Sequence, residues 1–105
     1  MALTSRDERA QLEALTALDG VAVPTASAIL ALTNPRRYGV IDIHVWQLLF
    51  ELGSIRTKPS GVGFTFDDWR DYLAVLRHHA KQLGVSVRAV EYSLFLYHQR
   101  VQAGA

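Results

Sequence analysis

The sequence predicts an all-α protein of about five helices, and three observations carry that expectation. Apolar residues return at intervals of three and four along most of the chain, the spacing of one helix face. The segments that carry this spacing open on residues suited to a helix N-terminus: Ser5, Pro24, Asp42, Thr65 and Ser86. The first four of them run into a stop, at Gly20, Asn34-Pro35, Gly53 and Gly84. No pair of alternating runs flanks a turn, and no internal repeat is present, so a sheet or a solenoid is not expected.

Taken in order, Ser5-Arg6-Asp7-Glu8 has the spacing of a capping box, and a first helix is expected from about Arg6. Leu12, Leu15 and Leu18, with Ala10, Ala14 and Ala17, form its apolar stripe. Asp19-Gly20 stops it, with Gly20 at positive φ. The second helix runs from Pro24, which needs no N–H there, to about Leu32. Ala26, Ala28, Ile29, Leu30, Ala31 and Leu32 make it apolar on nearly every side, which predicts burial on every side. Asn34-Pro35 ends it. Asp42 then caps a third helix through Leu52, stopped by Gly53, with Val45, Leu48, Leu49 and Leu52 inward and Trp46 and Phe50 flanking. Ser54 to Phe64 reads as a loop and as the segment expected to move, since it holds Arg56, Lys58, Pro59, Gly61 and Gly63. Thr65 caps a fourth helix with Asp67 and Asp68 in its first turn and an inward stripe of Trp69, Leu73, Leu76, Ala80 and Leu83, ending at Gly84. Ser86 caps a fifth helix to about Gln102, with Val90, Leu94, Tyr97 and Val101 inward.

At 105 residues the chain fits a single helical domain spanning 1–105. Half of it is apolar, a generous share that leaves surface for a second copy or a partner chain. A net charge of +1 excludes a uniformly basic coat but not a local basic patch. The absence of cysteine excludes disulfides, thiolate metal sites and a cysteine-ligated iron–sulfur cluster. No apolar run reaches the roughly 20 residues of a membrane span, and the first residues lack a secretory h-region, so a cytoplasmic protein without membrane partners is expected.

The chemistry-bearing residues concentrate between Leu18 and Gln47. Leu18-Asp19-Gly20-Val21-Ala22-Val23-Pro24-Thr25-Ala26 joins two helices by an apolar glycine turn, and Ile41-Asp42-Ile43-His44-Val45-Trp46-Gln47 follows within twenty residues. Together they resemble the helix-hairpin-helix DNA glycosylase superfamily, the class of endonuclease III, whose hairpin reads roughly L-P-G-V-G-x-K/x-T-A and whose later segment reads V-D-T-H-V-x-R. Pro24 and Asp42 stand eighteen positions apart, as in that family. The resemblance covers about thirty residues, and it places a helix-hairpin-helix at 6–33, an aspartate-bearing segment at 40–53 and a helical C-terminal part at 65–103.

The resemblance implies DNA-backbone binding without sequence preference by the turn, through Gly20, Val21, Ala22, Val23 and Thr25, with a monovalent cation held by turn carbonyls. Amides at a helix N-terminus suit a phosphate. Ala22 replaces the family's second glycine, and Asp19 on the lip is adverse to an anion. Arg36 and Arg37 add charge beside the turn; with Arg56 and Lys58 they form either a basic rim or a solvated loop surface. Asp42 stands where the family keeps its catalytic aspartate, and the plain alternative is a helix N-cap. His44 reads either as a proton shuttle or as a packed or capping histidine.

Pro24 occupies the position of the family's lysine and has no amine for a Schiff base, which removes lyase chemistry by that route. About eighteen residues precede the turn, where the family places a helical half-domain that helps wall the base pocket, so the chain reads as a reduced member. Three functions stay open: a DNA-backbone binder, a monofunctional glycosylase using Asp42 with the missing half supplied in trans, and a non-enzymatic interaction or dimer module. Arg88 and Glu91, three apart on one helix face, are expected to form a surface ion pair or an anchor to the third helix. His78 and His79, adjacent on a helix, diverge by about 100° and do not suggest a metal site.

Overall fold

The structure, a computed structural model, describes residues 5–58 and 63–103. It is all-α: α1 Ser5–Thr16, α2 Val23–Thr33, α3 Ile43–Glu51, α4 Phe66–Leu83 and α5 Val87–Ala103. The start and stop signals operate locally as expected. Asp42 accepts from the backbone N–H groups of His44 and Val45 at the head of α3. Thr65 and Asp68 form a reciprocal capping box on α4. Gly20, Gly53 and Gly84 take positive φ after α1, α3 and α4, a conformation that favours glycine. At α1 the box reads differently: both carboxylate oxygens of Glu8 are engaged by arginines from elsewhere in the chain.

The long α4 is the hub. It packs against α1, α2 and α5, and α3 lies against α5. Trp46, Trp69, Tyr72, Leu73 and Leu76 fill the centre. Trp46, expected at the flank of α3, is fully buried, stacked on Tyr72, and its indole N–H donates to the carbonyls of Thr57 and Lys58. Those bonds, with buried Ile55 and an ion pair of Lys58 to Asp68, tie down the first part of the loop expected to move. Pro59 and Gly61 lie outside the described residues.

Several burial expectations are corrected. Leu18 lies beyond the end of α1 and is exposed. On α2 only Ala26, Ser27, Leu30 and Ala31 are buried, and Leu32 is 84% exposed, because this helix packs on α1 and α4 and leaves its other side to solvent. Leu52 and Leu83 fall at the ends of their helices, past the last packed turn, and are exposed. On α5 the inward face runs through Val87, Val90, Glu91, Leu94, Phe95 and His98, which leaves Tyr97 and Val101 outside. Two polar residues belong to that stripe, so an apolar count follows the wrong face.

Candidate functional site

The chain from Tyr38 to Asp42 links α2 to α3 through the interior, and side chains from α2, α4 and α5 bond to its backbone. Tyr38 stacks on Trp69, with ring centroids 5.6 Å apart. The Trp69 indole N–H donates to the Gly39 carbonyl and the Tyr72 hydroxyl to the Val40 carbonyl, the latter at 2.9 Å. The Val40 N–H donates to Glu91 Oε1 at 3.0 Å and the Ile41 N–H to Ser27 Oγ at 2.9 Å. The Ser27 hydroxyl in turn donates to the Pro24 carbonyl at 2.7 Å. Buried amides left unpaired cost about 1–3 kcal/mol each, so this lacing determines where Asp42 emerges.

Glu91 is 3% exposed and is also paired with Arg88. Burial pushes its carboxyl above the usual range, and the bonds from Val40 and Arg88 offset this only in part. The Tyr72 hydroxyl is raised well above its ordinary value, again chiefly by burial. The Arg88–Glu91 pair is therefore an internal anchor for the segment before Asp42, reaching the approach to the third helix rather than its surface.

Gly39 is in this lacing for space. A Cβ there would lie 2.9 Å from Leu76 Cδ1 and 3.3 Å from both Glu91 Cβ and Val87 Cγ1. The leucine tip can turn aside, while the two contacts on α5 sit close to the backbone. Gly39→Ala is expected to cost about 1–3 kcal/mol by overpacking. Urea denaturation checks this, and a change below about 0.5 kcal/mol would show that α5 yields freely.

Asp42 reaches the surface at the edge of a recess of about 460 Å³ lined by Ala22, Val23, Pro24, Ile41, Asp42, Ile43, Gly63 and Phe64. The fold thus brings together the two positions that stand eighteen apart in sequence, Pro24 and Asp42. The recess is mostly apolar, and Phe64 meets Trp46 edge to face at 4.9 Å between centroids. Asp42 Oδ1 is committed to the helix cap, at 2.8 Å from His44 N and 3.2 Å from Val45 N. Its second oxygen makes no hydrogen bond among the described residues. His44 is not among the residues lining the recess: its ring lies 5.3 Å from that of His98 and 6.2 Å from that of Phe95, against α5.

The turn before α2 presents part of itself to solvent. Gly20, Ala22 and Thr25 are exposed, whereas Val21 and Val23 pack on the core. Asp19 is exposed on the same turn. Ala22 is the N-cap of α2 and no side chain caps that end, so the first amides of α2 lack the satisfaction that Asp42 and Thr65 supply to α3 and α4. No acidic residue stands in the first turn of α2.

Arg36 and Arg37 are not beside this turn. They follow the other end of α2, whose 11 residues separate the two places by about 16 Å. Arg37 pairs with Glu8, and Arg77 pairs with the same carboxylate at 3.1 Å. Burial acts to lower the Arg37 pKa, but Glu8 and Tyr38 outweigh it and hold the guanidinium above its ordinary value. Lys58 is bound to Asp68 and the Gly63 carbonyl, while Arg56 is exposed. Burial pushes the Asp68 carboxyl up, and the bonds from Lys58 and Thr65 prevail and hold it below the usual range. Arg36, Arg37, Arg56 and Lys58, weighed as a basic rim against a solvated loop surface, therefore fall into groups with separate neighbours.

Ser27, Phe64, Arg77 and Lys81 carry no functional signal in the sequence pattern that matches the places they take. Ser27 left one signal, a hydroxyl among the small and apolar residues in the middle of α2. Glu8 looked like half of a capping box, and its long-range partners leave no local trace. No protein-family model, curated protein or solved structure matches this chain.

Proposed function

We propose that this protein binds the sugar–phosphate backbone of DNA through the turn from Leu18 to Thr25, in the manner of helix-hairpin-helix proteins and without sequence preference. The observation that carries this reading is the uncapped N-terminus of α2 behind an exposed glycine turn. Amides left without acceptors there, together with the helix dipole, favour an anion. Phosphate contacts hold register without reading bases, which suits a site with no side chain aimed at a groove. A monovalent cation on the turn carbonyls belongs to the same reading.

Fluorescence anisotropy with duplex and gapped DNA at low salt tests it. Binding is expected to be independent of sequence and to weaken as salt rises from about 50 to 200 mM. Ala22→Glu, which puts a carboxylate at an exposed position on the turn, is expected to reduce affinity tenfold or more, about 1.4 kcal/mol or above. Unchanged binding by that variant, or none by the parent protein, would exclude the reading.

A second reading is supported by the recess that joins Pro24 to Asp42. In it Asp42 acts on a base extruded from the duplex, activating water or stabilising positive charge on the sugar, with the remaining pocket wall supplied in trans. Asp42→Asn separates this role from the cap, because asparagine caps a helix about as well as aspartate. Melting temperature is expected to stay close to that of the parent, with base release from damaged duplex abolished. An Asn variant that releases base as fast as the parent would eliminate this role, and so would no release by the parent from any damaged duplex.

A further inference from the structure

The C-terminal ends of α2 and α4 meet at a recess of about 590 Å³ lined by Asn34, Arg36, Arg37, Arg77, Ala80, Lys81, Gly84, Val85 and Val87. Four of the side chains that line it are cationic and none is a carboxylate. We propose that this recess is an anion site that takes the phosphate group of a phosphorylated ligand. It stands apart from the turn before α2 and does not rest on DNA binding there.

A plainer role for these cations is to balance nearby negative charge, and the magnitudes decide against it as a full account. Glu8 supplies one unit, shared between Arg37 and Arg77. The C-termini of α2 and α4 add about half a unit each. Arg37 and Arg77 answer Glu8, and Arg36 and Lys81 add two charges beyond that pairing, an amount that suits a phosphate near neutral pH. Arg36 and Lys81 carry the excess: both are exposed, and neither enters a side-chain hydrogen bond or ion pair among the described residues. Arg77 is held rigidly, with Nε donating to the Arg37 carbonyl at 3.1 Å, Nη2 on Glu8, and its guanidinium 5.7 Å from the Tyr38 ring centre. One wall is also fixed, because the Val87 and Arg88 amides at the head of α5 donate to the carbonyls of Arg36 and Pro35. The site therefore has a preorganised floor, which lowers the ordering cost of binding, and two exposed cations at its mouth.

A titration with inorganic phosphate, followed by amide and guanidinium NMR shifts against chloride at matched ionic strength, tests the proposal. Saturable shifts are expected to gather at Asn34 to Arg37, Arg77, Lys81 and Gly84, and to weaken at least fivefold in the double variant Arg36→Ala/Lys81→Ala. Because both residues are exposed, the variant is expected to keep the parent's melting temperature. Shifts equal to those of chloride, or unchanged in the double variant, would overturn the site. A duplex oligonucleotide and a nucleoside monophosphate, added in separate arms, identify the source of the phosphate by which one displaces it. Loss of DNA binding in Ala22→Glu with phosphate shifts intact assigns the two places independently.

Discussion

Glu91→Ala is expected to lower the stability of this protein by about 2–4 kcal/mol, a large fraction of what a domain of this size holds. The carboxylate is buried, accepts from the Val40 amide and pairs with Arg88. Alanine leaves the Val40 amide without its acceptor, at about 1–3 kcal/mol, and empties the space that the buried carboxyl filled. The stranded Arg88 adds less, because its side chain is 40% exposed and can turn to water. Glu91→Gln keeps an acceptor near Val40 and is expected to cost roughly half as much. Both variants also differ from the parent in pH dependence, because neither carries the titratable carboxyl. The folded carboxyl is raised, so the native state holds the proton more tightly than the unfolded chain. Its favourable contribution is therefore complete below the ordinary carboxylate range and is lost as pH rises through the raised folded value. Either substitution removes that slope. Urea denaturation across the acid range measures both effects, and equal losses for Ala and Gln with pH profiles parallel to the parent's would refute the anchoring role. Hydrogen exchange at Val40 and Val45 reads the consequence for the site, since the Asp42 cap begins two residues after Val40.

Glu8→Ala is expected to cost about 2–3 kcal/mol, from the loss of a buried carboxylate that serves two guanidiniums. It is 5% exposed, while the two arginine side chains are each 32% exposed, so solvent softens the penalty on their side. The same substitution removes the negative side chain that pairs with both Arg37 and Arg77 in the basic recess. Phosphate is therefore expected to bind the variant more tightly than the parent and to raise its melting temperature by more. Stability and phosphate affinity moving in opposite directions is a result that a purely structural role for the arginines does not produce. Thermal denaturation with and without phosphate checks it; an equal rise in both proteins would count against the anion site.

The ends of the helices were legible in the sequence. Asp42, Thr65, Ser86, Pro24 and the glycines at 20, 53 and 84 act on amides and dihedrals within a few residues of themselves. Such signals survive without knowledge of the rest of the chain. The eighteen-residue interval from Pro24 to Asp42 pointed to one stretch, and the fold puts both residues on one recess. Which faces are buried was less legible. Leu32 and Leu83 read as core by type but stand where no other element packs, and Leu83 is 70% exposed. Glu8, Glu91 and His98 read as surface by type and are buried.

That division has a physical cause. A cap or a positive-φ glycine is satisfied by neighbours in sequence, whereas a buried carboxylate is stable only where distant donors converge on it. Glu8 meets partners 29 and 69 positions away, and Glu91 meets the Val40 amide across 51. Local spacing alone therefore determined an all-α chain with these helix limits and with Asp42 at the head of α3. Packing determined the rest: the recess that faces Asp42 toward Pro24, the interior bonds that hold it there, and the separation of Arg36 and Arg37 from the turn they were expected to flank.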